Sequence, residues 1–271
     1  MCIREVYVKL RFVMNNVVKM ERPASAANVA LILIDNPPVN AIGRDVYDGL
    51  LAMMESVERD TSVQAVVIAA EGRTFIAGAD IKLLEAAARG EAIRLYLRPL
   101  LDKIELSPKP VVVALHGTAL GGGMELAMAA HYRVAAPDAQ MGQPEVNLGI
   151  IPGGGGTQRL TRLVGEGKAM EMILGGEIIS ADTALAIGLV NHVVPADQLE
   201  TKTMEIANRM AEKSPVALRL AKESVKLASR SNLDEGLRRE VDLFALCFST
   251  EDKNEGVSAF LEKRKPAFTG K

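Results

Sequence analysis

Short, uninterrupted apolar runs alternate with segments of helical periodicity over the first two thirds of the chain. The runs 29–34, 65–70 and 111–115 consist of Val, Ile, Leu and Ala, and strands of this composition are buried on both faces. Between the first two runs, apolar residues from Val46 to Val57 recur at helical spacing. This alternation predicts an α/β architecture in which helices cover a sheet.

Further elements are predicted on either side of these runs. We expect strands at 17–20 and 132–136, and helices at 81–88 and 91–106. Pro99 predicts a kink in the last of these helices, because proline has no backbone N–H and its ring clashes with the preceding turn.

The character of the sequence changes near residue 195. Beyond it the pattern predicts helices only, at 198–212, 215–229, 233–247 and 255–264. We therefore expect two parts, an α/β core at 1–195 and a helical region at 196–271. They are expected to pack together, because no linker rich in Gly, Ser or Pro separates them.

Composition excludes several classes of function. The 271 residues include 32 Lys+Arg and 34 Asp+Glu, a formal net charge of −2, which leaves no basic surplus for nucleic acid. No apolar run reaches the roughly 18 residues of a membrane helix. Residues 1–13 match neither a secretory signal nor a transit peptide, and are treated as an extension of unknown role. The two Cys and three His show no metal-ligand spacing, so we expect a cytoplasmic protein without a metal.

Two glycine clusters, at 121–123 and 153–156, do not match nucleotide-binding motifs. Neither continues as G-x-G-x-x-G, and the chain has no G-x-S-x-G elbow. In the first cluster, a predicted strand leads into glycines that begin a helix, where free N–H groups and the absence of Cβ favour binding of an oxyanion. Glu125 lies in the first turn, and its carboxylate can tilt toward the same place. Alternatively, these glycines serve only packing and Glu125 only complements the helix dipole.

Five segments that occur in a fixed order carry a resemblance. They are NPPVNAI at 36–42, TFIAGADIK at 74–82, the stretch 119–160 from ALGGGMEL to GGGGTQRL, ISADTALAIGLV at 179–190 and AFLEKRKPAF at 259–268. Together they resemble the crotonase family and, within it, the enoyl-CoA hydratases, from about residue 14 to the C-terminus. The resemblance implies a spiral of β-β-α units, with a helical C-terminal region that forms trimers, usually paired into hexamers.

The resemblance also implies a reaction. Members of the family bind acyl-CoA thioesters and stabilise an enolate-like anion with two backbone amides, which match those of Ala79 and Gly122. Two glutamates of the hydratases match Glu125, which would activate the water, and Glu145, which would donate a proton to C2. Both carboxyl groups together favour an enoyl-CoA hydratase of the fatty acid β-oxidation type that needs no cofactor beyond the CoA of its substrate.

The resemblance suggests residues for the CoA moiety as well. Lys82 matches a lysine near the nucleotide, while Phe260 and Lys263 match residues that reach the adenine from a neighbouring subunit. A surface lysine such as Lys82 is alternatively just solvated. Two other functions stay open: an enoyl-CoA isomerase or another crotonase-fold activity on CoA esters, and RNA binding through a basic helix, which the net charge disfavours.

Several prominent residues are assigned structural roles. The glycines at 153–156 are expected to let their turn pack near the site. Asp80 is predicted to cap the helix that begins at Ile81. His116 and His131 are expected to be hydrogen-bonded parts of the scaffold rather than acid–base groups.

Overall fold

The computed structural model describes residues 12–13, 16–91 and 96–271. This part of the chain contains ten strands: β1 (Phe12–Val13), β2 (Val18–Glu21), β3 (Val29–Ile34), β4 (Ala65–Ala70), β5 (Val111–Leu115), β6 (Thr118–Leu120), β7 (Tyr132–Ala135), β8 (Gln140–Gly142), β9 (Ile178–Ser180) and β10 (His192–Val193). Seven of them form one sheet in the order β1-β2-β3-β4-β5-β7-β10, and β6, β8 and β9 form a second. From β3 to β10 the neighbours in the large sheet are parallel.

The helices between and after these strands have the following bounds: α1 (Arg44–Arg59), α2 (Ile81–Ala88), α3 (Arg98–Glu105), α4 (Gly122–Ala129), α5 (Gly156–Val164), α6 (Glu166–Gly175), α7 (Ala181–Ala186), α8 (Leu199–Ala211), α9 (Pro215–Leu227), α10 (Leu233–Phe248) and α11 (Glu251–Leu261). Short 3-10 turns occupy Ala24–Ala26, Pro144–Leu148 and Ala196–Gln198. Within the described ranges, no helix combines the length and the apolar character needed to cross a bilayer.

Each central strand buries both of its faces, as the apolar runs predict. On one face, alternate residues such as Ile32 and Val66 pack in a core that also contains Leu50 of α1. On the other face, residues such as Leu31 and Val67 pack with α8. Each fully buried side chain of this size stabilises the fold by about 1.5–3 kcal/mol. The predicted α/β architecture is confirmed.

Two details of the helix predictions are wrong. The helix α3 begins at Arg98, so Pro99 lies in its first turn, where its missing N–H has no acceptor inside the helix and no kink is needed. Residues 92–95 of the predicted helix lie outside the described residues. The last helix begins at Glu251 rather than 255, because the side chain of Thr250 accepts a hydrogen bond from the Lys253 N–H and caps it.

The N-terminal extension lies largely outside the described residues. Within it, β1 pairs antiparallel with β2, with Phe12 opposite Met20, and forms the edge of the large sheet.

Candidate active site

The site is built around the turn that joins β6 to α4. Gly121 has φ +51° and ψ −123°, a combination that residues with a Cβ rarely adopt. The chain therefore passes from strand to helix at a single residue. The helix begins at Gly122, whose N–H has no intrahelical acceptor because it lies in the first turn.

The segment that carries Ala79 is held next to this turn by backbone hydrogen bonds to Ile42. The Ile42 N–H donates to the Gly78 carbonyl at 2.9 Å, and the Asp80 N–H donates to the Ile42 carbonyl at 3.1 Å. These two bonds do not use the N–H of Ala79. The side chain of Ile42 also faces Gly122, since a Cβ added there would lie 3.4 Å from Ile42 Cδ1. Ile42 thus connects the two segments that carry the predicted amide donors.

Glu125 is buried, with 2% of its surface exposed. Its Oε1 accepts the N–H groups of Gly154 at 2.7 Å and of Gly156 at 2.8 Å. Gly156 is the first residue of α5, so the positive end of that helix dipole faces the carboxylate. Burial raises the pKa of Glu125 above its ordinary value, and these two N–H groups and the charge of Arg159 offset that rise only in part.

Glu145 lies in the 3-10 turn Pro144–Leu148 and is half-buried. Its Oε1 would lie 3.2 Å from a Cβ on Gly121, which places it against the turn that carries Gly122. Its Oε2 is buried and has no hydrogen-bond partner within the described residues. Burial, and to a lesser extent the charge of Glu125, raise the pKa of Glu145 to about 7. The charge of Glu125 is therefore felt at Glu145, and the environments of the two carboxyl groups differ.

Gln143 is a polar residue of this site that the sequence analysis missed. Its side chain is fully buried, and its Nε2 donates to the Gly121 carbonyl at 3.1 Å. That carbonyl belongs to the same peptide unit as the N–H of Gly122. The available signal was a large polar residue directly after the buried strand β8 and two positions before Glu145.

The residues predicted to bind CoA lie in two places. Lys82 is exposed in the first turn of α2, close in sequence to Ala79, and its N–H donates to Asp80 Oδ1 at 3.0 Å. The predicted cap at Asp80 is thereby confirmed. Phe260 and Lys263 lie near the end of α11 and are exposed; α11 packs against α10. The hydrogen bonds described for Glu125 and Gln143 do not involve them.

The two histidines have the contacts of scaffold residues. His131 Nδ1 accepts the Val111 N–H at 2.9 Å, and its Nε2 lies 3.2 Å from the Glu105 carbonyl. Burial lowers the pKa of His131 to about 3, so the ring is neutral and the predicted structural role is confirmed. His116 Nε2 lies 3.3 Å from the Gly72 carbonyl. In the described part of the chain, no group of three or more His, Cys, Asp or Glu is placed to hold a metal ion.

Known proteins resemble this chain over most of its length. A family model, that of the enoyl-CoA hydratase/isomerase family, matches residues 24–271. A probable enoyl-CoA hydratase of Bacillus subtilis strain 168 is 44% identical over 247 residues, which cover 89% of this chain and 95% of that protein. A crotonyl-CoA hydratase of Syntrophomonas wolfei is 41% identical over 247 residues, 90% of this chain and 95% of that protein. A crystal structure of enoyl-CoA hydratase subunit I from Geobacillus kaustophilus HTA426 matches with a TM-score of 0.85 at 39% identity, covering 94% of this chain and 98% of that one.

Proposed function

The chain belongs to the enoyl-CoA hydratase/isomerase family, and we propose that it adds water across the 2,3 double bond of a 2-enoyl-CoA thioester through Glu125 and Glu145. The product is a 3-hydroxyacyl-CoA. One observation carries the proposal: two carboxyl groups with different surroundings flank a helix N-terminus that has a free amide.

The amides of Ala79 and Gly122 are proposed to receive the thioester oxygen. During attack of water on C3, negative charge moves onto that oxygen, and two fixed N–H donors stabilise it. One donor of this kind contributes about 2.7–4 kcal/mol to lowering the barrier. Both amides support this role, because neither N–H is a donor in the backbone hydrogen bonds described around them.

The two glutamates are proposed to move the protons. A carboxyl group with a pKa of about 7 still holds its proton in much of the free enzyme at neutral pH, so Glu145 can donate it to C2. Glu125 accepts two N–H groups, which favour its charged form, so it can take a proton from the water that attacks C3. One proton passes from Glu145 to C2 and one passes from the water to Glu125, so the substrate gains the elements of water. Proton exchange with solvent then restores both carboxyl groups before the next turnover. Each group contributes roughly 10²- to 10⁴-fold.

This chemistry requires no redox group or metal, because no electrons leave the substrate and the two carboxyl groups supply both proton transfers. We therefore propose no cofactor beyond the CoA of the substrate. The fatty acid β-oxidation type of substrate is part of the proposal. The cytoplasm is the proposed location, since the chain has only two Cys and no disulfide framework that would favour an oxidising compartment.

The CoA moiety is proposed to bind at Lys82, and at Phe260 and Lys263 of a neighbouring copy. Support comes from α10, which exposes at least half of each apolar residue on one stripe: Leu233, Leu237, Val241, Phe244 and Phe248. A stripe of this size is typical of an interaction surface. We propose that it is buried in a homotrimer, or a hexamer of two trimers, that brings α11 of one copy to the site of the next.

The variant Glu145→Gln tests the proton donor. It should lower kcat for hydration of crotonyl-CoA by about 100-fold or more and leave binding of the CoA ester intact, because the amide keeps the shape but cannot donate the same proton. Loss of the enoyl absorbance measures the rate. The control is Glu166→Gln, an exposed residue in the first turn of α6, which should behave as wild type.

Two results would contradict the proposal. Near-normal turnover of Glu145→Gln would reject the role of that carboxyl group. A wild-type enzyme that shifts the double bond of a 3-enoyl-CoA but does not hydrate crotonyl-CoA would favour the isomerase instead.

A further inference from the structure

We propose that Arg159 is a positioning residue of the hydration reaction, which holds the loop 154–156 against the Glu125 carboxylate and is itself held by Glu105. The inference rests on the proposed function, since it assigns a support to the proposed base.

The guanidinium of Arg159 joins two acceptors. Its Nη1 donates to the Gly154 carbonyl at 2.8 Å. Its Nε and Nη2 donate to Glu105 Oε2 at 3.0 and 2.7 Å. The side chain is only 13% exposed, so these bonds are shielded from water. A planar group with several fixed donors can hold both acceptors at once, which the ammonium of a lysine cannot do in the same way.

Gly154 is therefore held from both sides. Its N–H donates to Glu125 Oε1 at 2.7 Å, and its carbonyl accepts the bond from Arg159. The next residue, Gly155, has φ +103°, and a Cβ there would lie 2.5 Å from Arg159 Nη1. A glycine at this position thus allows the guanidinium to approach, but it also gives the loop conformational freedom. Arg159 limits that freedom and so fixes the direction of the N–H that faces Glu125.

Glu105, at the end of α3, anchors the arginine. Its Oε1 accepts Lys226 Nζ of α9 at 2.7 Å and Arg230 Nη2 at 3.1 Å. Burial would raise the pKa of Glu105, but the hydrogen bonds from Lys226 and Arg159 lower it to about 2. The carboxylate thus stays charged throughout any assay range. The helical C-terminal region in this way contributes to the geometry around Glu125 of the same chain.

The arginine also affects the charge of the base. The charged groups near Glu125 are Glu145 from the turn 144–148 and Arg159 from α5. Arg159 is the positive one, so its removal raises the pKa of Glu125 further. A purely structural residue would change stability without moving the pH at which the base ionises.

The test compares Arg159→Met with Arg162→Met in the full-length enzyme. Arg159→Met should lower kcat for crotonyl-CoA hydration by about 10- to 100-fold, the size of effect that slight misplacement of a reacting group produces, with little change in KM. The rising limb of its kcat–pH profile should move to higher pH. Arg162 lies on the same helix, is exposed and bonds only Gln158 and Ser229 among the described residues, so Arg162→Met should match wild type.

Two further variants separate positioning from folding. Arg159→Lys should recover part of kcat, because it restores the charge but not all three bonds. Glu105→Gln should lower kcat in the same direction, and the double variant Arg159→Met/Glu105→Gln should be no worse than Arg159→Met alone, since both changes break one network.

The outcomes are distinct. If wild type does not hydrate enoyl-CoA, the proposed function is wrong. If wild type does so and folded Arg159→Met keeps its kcat and pH profile, the positioning inference is wrong. If Arg159→Met does not fold, Arg159→Lys decides: a wild-type kcat would overturn the inference, and a lowered kcat with an unchanged KM would support it.

Discussion

Replacing Gly154 by alanine should displace the Glu125 carboxylate and leave the amides of Ala79 and Gly122 in place. A Cβ at this position would lie 2.5 Å from Glu125 Oε2, 2.9 Å from its Cδ and 3.0 Å from Leu101 Cδ1. Leu101 is fully buried in the core, so it cannot move away without cost. Either the carboxylate rotates or the loop retreats, and in both cases the 2.7 Å bond from the Gly154 N–H to Oε1 is lost.

The size of the effect follows from these contacts. A hydrogen bond to a charged group is worth about 1.5–3 kcal/mol, which corresponds to roughly 10- to 150-fold in a rate if the bond matters most in the transition state. Overpacking itself destabilises the fold by about 1–3 kcal/mol. We therefore expect kcat for crotonyl-CoA hydration to fall by about 10- to 100-fold and KM to change little, because Ala79 and Gly122 are untouched.

Gly153→Ala is the matched control for this variant. No atom lies within 4 Å of a Cβ added at Gly153, so this neighbour in the same glycine cluster should accept alanine with normal kcat and normal thermal unfolding. The assay is steady-state hydration of crotonyl-CoA beside a thermal unfolding curve for each variant. If folded Gly154→Ala turned over as fast as Gly153→Ala, the contact between this loop and Glu125 would have no part in catalysis.

Other predictions concern the surroundings of the two carboxyl groups. The pKa of about 7 for Glu145 predicts that kcat/KM falls as the pH rises through this value, because the proton donor is lost; a flat profile from pH of about 6 to 9 would contradict this. Folding raises the pKa of Glu145 from its ordinary value of 4.5 to about 7, so the fold loses stability as the pH rises through this window. Glu145→Gln should therefore unfold at a higher temperature than wild type at about pH 8 but not at about pH 4, which calorimetry can measure. Gln143→Leu should lower kcat about 10-fold or more, because the Gly121 carbonyl loses its donor and the Gly122 N–H is less well fixed; a folded variant with wild-type kcat would show that the peptide needs no such support.

The sequence predicts correctly the bounds of those strands and helices whose ends are marked by residues next to them. The strands 29–34 and 65–70 and the helix 81–88 have the bounds that the pattern predicts, because an apolar run or a helical period is interrupted there by Pro, Gly or Asp. The strand β6 was missed. It is three residues long and exists because each of its residues pairs with one of β8 that lies 22 positions later in the chain, such as Thr118 with Gln140. Nothing in its own composition distinguishes it from the loop that follows β5.

The same difference separates the predicted from the missed parts of the site. Glu125 was predicted from a glycine-rich helix start, which is a local signal, whereas Gly122 was singled out by the family resemblance. Gln143 and Arg159 act through the Gly121 and Gly154 carbonyls, and such partners cannot be read from a single position. The role of each side chain depends on which backbone groups the fold places within hydrogen-bond distance of it.

The two glycine clusters, at 121–123 and 153–156, make different contributions to the surroundings of Glu125. The first makes a helix N-terminus with a free amide, and it puts a carboxyl group in the first turn of that helix, where burial raises its pKa. A buried carboxyl group needs hydrogen-bond donors to stabilise its charged form, and the donors described for Glu125 do not come from the first helix. The second cluster supplies them, because Gly154 lets the loop approach Glu125 within hydrogen-bond distance and Gly156 begins another helix with its N–H aimed at the same oxygen. The start of α5 thus donates two hydrogen bonds to the Glu125 carboxylate, while the Gly122 N–H at the start of α4 is not used by it. We expect an alanine at either Gly154 or Gly156 to lower kcat before it weakens binding of the thioester.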